Sequence, residues 1–350
     1  MDSIPPDRPA AGSGLLTGCD WDSRLAQCGD EGRDVYFTRT YHELHPETGT
    51  AECFCHWQGR QQLLVPGLRV PLPAPVGAAG WSDLQSCNGY GGPAASPDPD
   101  AEFLREAWAE WKRHCRAARV VAAFFRLHPL AGNERLMPAD AAVKEDRSTV
   151  FLPLEQGLDE VWRNASSNYR NMVNKGRRLG TKVHWNRPGD WDAFPGFYLD
   201  AMARLAAPAA LRFGEEYFRA VRQLPGTELA AVWEGDRPAA MSIFLHGPQW
   251  SHYHLSARHP ESQNHVLTVI LHAAVERAFQ RQSRGIHLGG GRTAQPDDGL
   301  LKFKASTGGR LLRFKTALVV ADPTAFASLV AGWRQQHGRD PVWMLGYRQP

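Results

Sequence analysis

The chain lacks the long apolar runs and the leader pattern that direct proteins into or across membranes. No apolar run approaches the roughly 20 residues that a membrane-spanning helix needs. Residues 1–6 (MDSIPP) contain no basic segment followed by an apolar core, which a secretory signal requires. We therefore expect a cytoplasmic protein without a membrane span.

Metal-ligand spacing is also absent. The six cysteines are scattered, and a cytoplasmic location keeps such thiols reduced. Cys53 and Cys55 precede His56, but no second pair with zinc-like spacing accompanies them. Alternate residues of a strand are the simpler explanation. We predict no metal site and no cofactor.

Two common catalytic motifs and a strong charge bias are missing as well. The sequence has neither the G-x-S-x-G elbow of hydrolases nor a P-loop. A net charge of +3 is too small to indicate nucleic-acid binding by itself, so only the distribution of charge is informative. The length of 350 residues suits two domains, and apolar content of 43% is ordinary for a globular protein.

Turn residues and apolar patterns divide the chain into a tail and two domains. We predict a disordered or weakly ordered tail over residues 1–30, a first domain over 31–148 and a second over 149–350. Residues 131–148 are polar, with Gly, Asn and Pro, and are expected to link the domains. The first domain is predicted to contain a helix-like stretch at 34–44, strands at 51–57, 61–70 and 120–125, and a helix at 101–116.

The second domain shows clearer punctuation. One helix is expected after a strand at 150–154, because Val161, Ala165 and Tyr169 recur at helical spacing. From residue 181 the predicted order is β, α, α, β, β, β, α, β, α, β. The predicted strands are 182–185, 228–234, 238–246, 250–256, 285–288 and 311–320, and the helices are 190–205, 214–223, 264–281, 298–306 and 323–336.

Residues 284–304 carry the most informative motif. A short apolar strand ends in three glycines at 289–291, and an acidic turn then opens a segment containing Phe303 and Lys304. Glycine lets the backbone bend sharply and approach a ligand closely. The pattern resembles the last part of FemABX-like transferases, GNAT-related proteins that attach amino acids from aminoacyl-tRNA to amines.

This resemblance implies a fold. The element order from residue 181 is that of a GNAT acyltransferase domain, and the first half is interpreted as a degenerate version of the same unit. We therefore expect an α/β protein with a mixed α+β sheet, built from two tandem GNAT-like domains. Nothing in the sequence sustains heptads, so the coiled-coil insertion of staphylococcal-type members is expected to be absent.

Lys304 is the candidate catalytic residue. Aminoacyl transfer develops an oxyanion as the amine attacks the ester, and a fixed cation near that oxygen stabilises the transition state more than the ground state. Lys304 could play this role or hold the tRNA terminus. FemABX-like proteins carry a Phe-Lys pair here, and the resemblance implies that Lys304 serves the transferred acyl group or the nucleotide end, with Phe303 stacking or packing beside it. The alternative from residue type alone is solvated surface lysines, with Lys302 and Lys304 on one side of a strand or turn.

Positive charge is concentrated in two segments. Residues 163–182 and 300–320 carry lysines and arginines but no acidic residue. Such patches attract phosphate backbones, and the first resembles the basic segment that opens the second domain of the FemABX group. A solvated helix face is the alternative. We predict tRNA contacts at Arg170, Lys175, Arg177, Arg178 and Lys302.

Residues 83–93 (DLQSCNGYGGP) form a second glycine-rich motif. Glycines that flank a tyrosine before proline make a tight loop that a ligand can approach closely. Many proteins of this superfamily have a similar Gly-Tyr-Gly-Gly-Pro in the first domain, where the acceptor site is lined. The resemblance implies acceptor contacts at Asp83, Tyr90 and Gly91. A purely structural turn is the alternative.

Two histidines occupy alternate positions of a predicted strand. His252 and His254 are expected to face the same side. In a GNAT sheet this strand borders the acyl cleft, so Tyr253, His254 and Gly290 join the substrate-binding candidates. His254 is a candidate general base, although FemABX-like catalysis is thought to need none. Histidines that simply pack in a sheet are the commoner case.

One departure from ordinary GNAT acetyltransferases concerns the donor. Those enzymes place a glycine-rich loop before the helix that follows the third meander strand, and its backbone amides hold the pyrophosphate of coenzyme A. Here residues 262–267 read SQNHVL, without a glycine. This difference disfavours acetyl-CoA as the donor.

We therefore predict an aminoacyltransferase that moves an amino acid from aminoacyl-tRNA to an amine, forming an amide or peptide bond. The acceptor would be a peptidoglycan precursor or an intermediate of natural-product, for example antibiotic, biosynthesis. The alternatives are an acyl-CoA-dependent N-acyltransferase that uses the same cleft and a binding module without catalysis. The sequence leaves open the amino acid, the acceptor and the oligomeric state.

Overall fold

The computed structural model describes residues 11–73 and 80–349. Its strands are β1 Ala11–Leu15, β2 Thr50–Gln58, β3 Gln61–Pro71, β4 Ser82–Gln85, β5 Ala94–Ala95, β6 Val120–Arg126, β7 Ala142–Pro153, β8 His184–Trp185, β9 Thr227–Glu234, β10 Arg237–His246, β11 Trp250–Arg258, β12 Gly285–Gly290 and β13 Arg310–Val320. Its α-helices are α1 Cys19–Leu25, α2 Arg39–His42, α3 Ala101–Ala117, α4 Leu158–Asn164, α5 Ser167–Arg178, α6 Pro188–Arg204, α7 Glu215–Val221, α8 Val266–Gln280, α9 Gly299–Ala305 and α10 Pro323–His337. None of these helices has the length and apolar character that a membrane span needs.

The chain forms two compact units. The first contains residues up to Asp146 together with Phe314 onward, and the second contains Arg147–Arg313. The division after Asp146 lies close to the predicted one. The C-terminal stretch differs from the prediction, which placed it in the second domain. It belongs to the first unit because β13 pairs antiparallel with β6 and Trp333 of α10 is buried in a cluster with residues of β6.

The first unit is built on a mixed sheet. Its strands lie in the order β1-β2-β3-β4-β6-β13, and β4 and β6 are the parallel pair. The predicted helix α3 covers this sheet. Asp100 caps it by accepting a hydrogen bond from the Phe103 amide, and the helix buries Trp108 and Trp111 against the strands.

Three sequence predictions for the first unit need correction. The tail was expected to be weakly ordered, yet its described part contains β1, which pairs with β2, and α1, which buries Trp21. Residues 1–10 lie outside the described part. The helix-like stretch at 34–44 is a 3-10 turn followed by α2, because Thr38 is extended and caps a new helix. The expected link at 131–148 already contains the start of β7.

From β8 to α9 the second unit has the element order predicted from residue 181, and β13 completes that order by pairing with β6 of the first unit. Its strands lie in the order β7-β12-β11-β10-β9-β8, and β11 and β12 are the parallel pair. The face of α8 that carries Ile270, Leu271 and Ala274 packs on Ile286 and Leu288 of β12. This apolar layer fixes β12, and therefore the glycines at its end, relative to β11.

The single helix expected after residue 158 is two helices. Ala165 has an extended backbone, and the side-chain oxygen of Ser166 accepts a hydrogen bond from the Tyr169 amide to start α5. Gly308 packs against this break, since a Cβ there would lie 2.6 Å from the Asn164 carbonyl carbon. The helical spacing of apolar residues continues across the break, while Ser166 and Ser167 carry the sequence signal for a new N-cap.

Candidate active site

The candidate site lies where two parallel strands of the second unit separate. Pairing between β11 and β12 runs from Trp250 and Gly285 to His252 and His287. Beyond this point β12 continues its antiparallel pairing with β7, while β11 continues with β10. The strand ends beyond the last pair, including Tyr253 and Gly290, therefore border a gap in the sheet.

Lys304 reaches this gap from α9. Its side chain is 7% exposed, and Nζ donates a 2.7 Å hydrogen bond to the carbonyl oxygen of Gly290. The Nζ atom lies 5.7 Å from the centroid of the Tyr253 ring. The structure thus brings together three of the predicted site residues, one each from α9, β12 and β11.

Burial controls the charge of this lysine. Loss of hydration lowers the pKa of Lys304 from 10.5 to about 7, and the negative charge of Asp298 acts weakly in the opposite direction. Because burial disfavours the ammonium form of Lys304, a negative charge that appears beside Nζ stabilises that form strongly. An oxyanion forming within reach of Nζ would supply that charge, so the site is suited to stabilise it.

The prediction that Lys302 and Lys304 share one side is wrong, because this segment is helical. Residues two apart on a helix point in different directions. Lys302 is exposed, Lys304 is buried, and Phe303 packs against the hydrophobic core of the unit. The alternative of two solvated surface lysines is therefore excluded for Lys304 and remains valid for Lys302.

The loop between β12 and α9 is organised by Asp298, which the sequence predictions did not include. Its Oδ1 accepts hydrogen bonds from the amides of Leu300 and Leu301, and its Oδ2 accepts from the amides of Arg292 and Thr293. Hydrogen bonds from these amides, led by Leu301, lower the pKa of Asp298 to about 2. An aspartate before a Gly-Leu-Leu helix start is an N-cap signal that sequence reasoning could have used.

Tyr253 and His254 lie at a β-bulge of β11. The pairing register with β10 passes from Leu255 to Tyr253 and skips His254. Bulges of this kind are frequent beside active sites, where they re-aim side chains. Burial raises the pKa of the Tyr253 phenol, which also contacts the hydroxyls of Ser242 and Ser256.

His254 has a neighbour that bears on its predicted role. Its Nε2 lies 2.6 Å from the hydroxyl of Tyr217 on α7. His252 is buried and lies 5.8 Å, centroid to centroid, from the ring of His287. Both histidines are thus packed among ring side chains. The role of His254 as a substrate contact or general base stays a prediction.

The basic helix α5 presents its charges unevenly. Arg177 and Arg178 are exposed, and Lys175 is half-buried. Arg170 instead turns back and donates to carbonyl oxygens of Trp162 and other residues at the end of α4. This contact gives Arg170 a structural role, while the two arginines of the last turn are exposed to solvent.

The position of α5 is fixed by close packing on α8. A Cβ at Gly176 would clash with Val269 and lie 3.1 Å from the ring of His265. Arg177 contacts His272 of α8 at 3.1 Å and lies 5.3 Å from the Trp162 ring centroid. The basic end of the helix is therefore held rigidly at the surface of the second unit.

Asp83 and Tyr90, the predicted acceptor contacts of the first unit, differ in burial and in their neighbours. Asp83 is fully buried, and its oxygens accept hydrogen bonds from the Tyr347 hydroxyl at 2.7 Å and the Arg348 Nε at 2.5 Å. This carboxylate anchors the C-terminal segment. Tyr90 is half-buried in an aromatic cluster, 5.4 Å from the rings of both Tyr36 and Phe314.

The glycine-rich loop around Tyr90 is tightly held. The Gly91 amide donates to the Arg126 carbonyl at 2.7 Å, and the Gly91 carbonyl accepts from Asn133 Nδ2 at 2.8 Å. Gly89 has a φ of +102°, and a Cβ there would lie 2.6 Å from the Tyr36 ring. A structural reason for these glycines therefore exists whether or not the loop contacts an acceptor.

The start of α8 occupies the place where ordinary GNAT acetyltransferases hold the coenzyme A pyrophosphate. A groove of about 780 Å³ lies beside it, lined among others by residues 179–182, the β9–β10 turn, Gln263, His265 and Val266. The Gln263 amide already donates to the Glu234 carboxylate at 3.2 Å, and the buried His265 imidazole contacts the Thr181 hydroxyl at 2.8 Å. A carboxylate at this position disfavours a second anion.

Comparison with known proteins identifies the fold. Residues 163–298 match the family model described as an acetyltransferase (GNAT) domain. The structure is similar to that of FemX, with a TM-score of 0.68, 13% sequence identity and coverage of 87% of this chain and 96% of FemX. The fold is the FemABX-like GNAT fold. This confirms the predicted resemblance and the predicted pair of GNAT-like domains.

Other proteins with this FemABX-like GNAT fold are also similar. The C-terminal domain (DUF2156) of a putative lysylphosphatidylglycerol synthetase from Agrobacterium fabrum has a TM-score of 0.55 and 10% identity, covering 90% of this chain and 94% of that chain. A tandem GNAT protein from the clavulanic acid biosynthesis pathway has a TM-score of 0.50 and 12% identity, covering 89% and 99%. None of the curated proteins matches the sequence. Identities this low establish the fold alone.

Proposed function

We propose that this protein transfers an amino acid from aminoacyl-tRNA to an amine and thereby forms an amide or peptide bond. The observation that carries the proposal is the buried Lys304 side chain, which lies on the Gly290 carbonyl at the gap between β11 and β12. The ester of the donor is already activated, so the reaction needs positioning and charge stabilisation rather than ATP.

The proposed chemistry follows from the charge balance at Lys304. The acceptor amine attacks the ester carbonyl and the carbonyl oxygen becomes negative. The C–O bond to the tRNA then breaks as the amide forms, and the 3′-oxygen leaves as a hydroxyl with the proton that the amine nitrogen loses. Burial disfavours the Lys304 ammonium in the unliganded site. The developing oxyanion would offset that penalty, so the interaction is stronger in the transition state than in the ground state.

The basic end of α5 supports an RNA donor. Arg177 and Arg178 are exposed and Lys175 is half-buried, so their charges are available to RNA phosphates at the C-terminal end of α5, and Lys302 adds an exposed charge on α9. We keep Tyr90 and Gly91 as proposed acceptor contacts. Asp83 is omitted from this set because Tyr347 and Arg348 already engage both of its oxygens.

The fold supports acyl transfer as the class of reaction. FemX and a putative lysylphosphatidylglycerol synthetase share the fold. We propose that the acceptor is the amine of a peptidoglycan precursor or of a natural-product intermediate, as predicted from the sequence.

An acyl-CoA-dependent N-acyltransferase is the second candidate function. The match of residues 163–298 to an acetyltransferase domain favours it, as does the groove beside α8. The Glu234 carboxylate on the Gln263 amide and the absence of glycine in residues 262–267 oppose it.

The test compares the two donors directly. The purified protein is titrated with an aminoacylated acceptor-stem RNA helix and, separately, with acetyl-CoA, and each dissociation constant is measured by calorimetry. We expect the RNA helix to bind at least about tenfold more tightly, because α5 offers several cationic contacts and the α8 loop offers a carboxylate. Tighter binding of acetyl-CoA would overturn the proposal in favour of the second candidate.

A further inference from the structure

We propose that Asp298 is a positioning residue for the transfer reaction, holding the β12–α9 loop and the first turn of α9 so that Lys304 stays on the Gly290 carbonyl. This inference rests on the proposed function, in which Lys304 meets the developing oxyanion. Asp298 itself does not touch the reacting atoms in this account. It acts through the backbone that carries them.

The hydrogen bonds of Asp298 connect the two ends of the loop. Oδ1 accepts from Leu300 N at 2.9 Å and Leu301 N at 3.0 Å, both in the first turn of α9. Oδ2 accepts from Arg292 N at 3.1 Å and from the amide and hydroxyl of Thr293 at 3.1 and 3.2 Å. One carboxylate therefore binds the segment just after Gly290 and the helix that carries Lys304.

The chain and its hydrogen bonds together form a closed ring that begins and ends at Gly290 and contains Asp298, α9 and Lys304. The chain leaves β12 at Gly290, returns to Asp298 and enters α9, and Lys304 Nζ then reaches back to the Gly290 carbonyl. A Cβ at Gly291 would lie 2.6 Å from the Asp298 carboxyl carbon, so a glycine is needed for the loop to approach this closely. Loosening any part of the ring would displace Nζ from the carbonyl.

The charge of Asp298 contributes separately from its geometry. Hydrogen bonds from the amides of Leu301, Thr293 and Arg292 lower the pKa of Asp298 to about 2, so the carboxylate is ionised at neutral pH. Its negative charge raises the pKa of Lys304 against the effect of burial. Tyr253 on β11 also lies beside Lys304, and its phenol remains neutral because burial raises its pKa.

The test uses two adjacent aspartates that differ in their contacts. Asp298→Asn removes the charge and one of the two acceptor oxygens at nearly constant size. Asp297→Asn makes the same chemical change at the exposed neighbouring position and is the control. Asp298→Ser, which retains a capping hydroxyl, replaces Asp298→Asn should that variant fail to fold.

The first readout does not depend on any substrate. The rate at which Lys304 reacts with an acetic anhydride pulse is followed against pH, with the modified residue located by fragmentation mass spectrometry. We expect the midpoint for Lys304 to shift in Asp298→Asn and to stay unchanged in Asp297→Asn: loss of the aspartate charge alone moves it to lower pH, and displacement of the amine from its buried position moves it to higher pH. A midpoint equal to that of the unaltered protein in Asp298→Asn would overturn the inference.

The second readout is the transfer rate with an aminoacylated RNA helix. We expect Asp298→Asn to lower kcat by about tenfold or more with little change in KM, because only the lysine is misplaced. An unchanged kcat would overturn the positioning role if Lys304→Met abolishes transfer in the same assay. If Lys304→Met leaves transfer unchanged, the proposed role of Lys304 fails instead, and the labelling midpoint still decides whether Asp298 controls Lys304.

Discussion

Lys304 Nζ donates a 2.7 Å hydrogen bond to the Gly290 carbonyl oxygen across the loop that separates β12 from α9. This bond holds a buried amine at the gap between two parallel strands of the second unit.

Replacing Lys304 by methionine should abolish most of the transfer while preserving the fold. Methionine fills a similar unbranched volume but supplies no charge or donor for the oxyanion. We expect kcat to fall by about 10²–10³-fold, as for the loss of an oxyanion donor elsewhere. Transfer rates and thermal melts would be measured beside Lys144→Met, a control at an exposed position of β7. An unchanged rate would remove Lys304 from the chemistry.

Stability should depend on pH in a way that Lys304→Met removes. The pKa of Lys304 is about 7 in the folded protein and 10.5 in the ordinary state, so the unfolded chain binds more protons between these values. Stability contributed by this group therefore rises with pH from about 7 to about 10.5, by at most about 1.4 kcal/mol per pH unit.

The matching measurement is the thermal midpoint of both proteins between pH 6.5 and 10. As the pH rises from about 7 towards 10.5, the unaltered protein should gain stability relative to Lys304→Met. The stability difference should favour the variant most at or below about pH 7. Parallel curves for the two proteins would contradict the assigned burial of the lysine.

Two glycines at the ends of the same loop should respond differently to alanine. A Cβ at Gly291 would lie 2.6 Å from the Asp298 carboxyl carbon, whereas a Cβ at Gly299 would meet nothing within 4 Å. Gly291→Ala should displace the loop and lower transfer by about tenfold or more. Gly299→Ala, in the first turn of α9, should leave the loop in place and keep or raise the melting temperature. Equal transfer by both variants would contradict the tight packing of the loop.

Reversing the charges of Arg177 and Arg178 should weaken RNA binding and flatten its dependence on salt. Each phosphate contact that is lost removes about one unit from the slope of log K against log salt. Binding of an acceptor-stem helix would be followed by fluorescence anisotropy at several salt concentrations. The double change Arg105→Glu and Arg113→Glu on the exposed face of α3 alters the net charge equally and is the control. If both double variants bind alike, α5 is not part of the RNA site.

Glu228 should be a stability residue of the second unit. Its buried carboxylate accepts two 2.6 Å hydrogen bonds from Arg277 and one of 2.9 Å from Arg281, and it lies 3.1 Å from His246 Nε2. Burial alone would raise the pKa of Glu228, but these hydrogen bonds outweigh burial and hold the pKa below its ordinary value. Glu228→Gln should cost about 3 kcal/mol at neutral pH, because it leaves the arginines without their counter-charge.

The pH dependence checks this assignment. A lowered carboxyl pKa contributes stability that is present above about pH 4.5 and is lost as pH falls, so the difference between the unaltered protein and Glu228→Gln should shrink in acid. The exposed ion pair of Glu155 with Arg284 provides the control, and Glu155→Gln should cost less than about 1 kcal/mol. A similar small cost for Glu228→Gln would contradict the cluster's role.

The strands and helices of the second unit were largely predictable from the sequence, because turn residues such as Gly235 and Gly247 separate well-patterned segments. The break between α4 and α5 was missed because apolar spacing alone continued through Ala165. The assignment of β13 and α10 to the first unit could not be predicted, since it depends on pairing with β6, nearly two hundred residues away.

The site shows the same limit of local information. The motif at 289–304 identified Lys304 and Gly290, and the structure joins them by a hydrogen bond. The burial that lowers the pKa of Lys304 arises from tertiary packing, which residue spacing does not reveal. Asp83 was chosen for its motif, yet its carboxylate is bonded to Tyr347 and Arg348 at the far end of the chain.

The most direct test of the central claim is native mass spectrometry of the protein with an equimolar mixture of acetyl-CoA and an aminoacylated acceptor-stem RNA helix. The account predicts a complex with the RNA helix alone, which would direct the search for the acceptor towards amines. A complex with acetyl-CoA alone would contradict it and indicate an acetyltransferase with an unusual pyrophosphate loop.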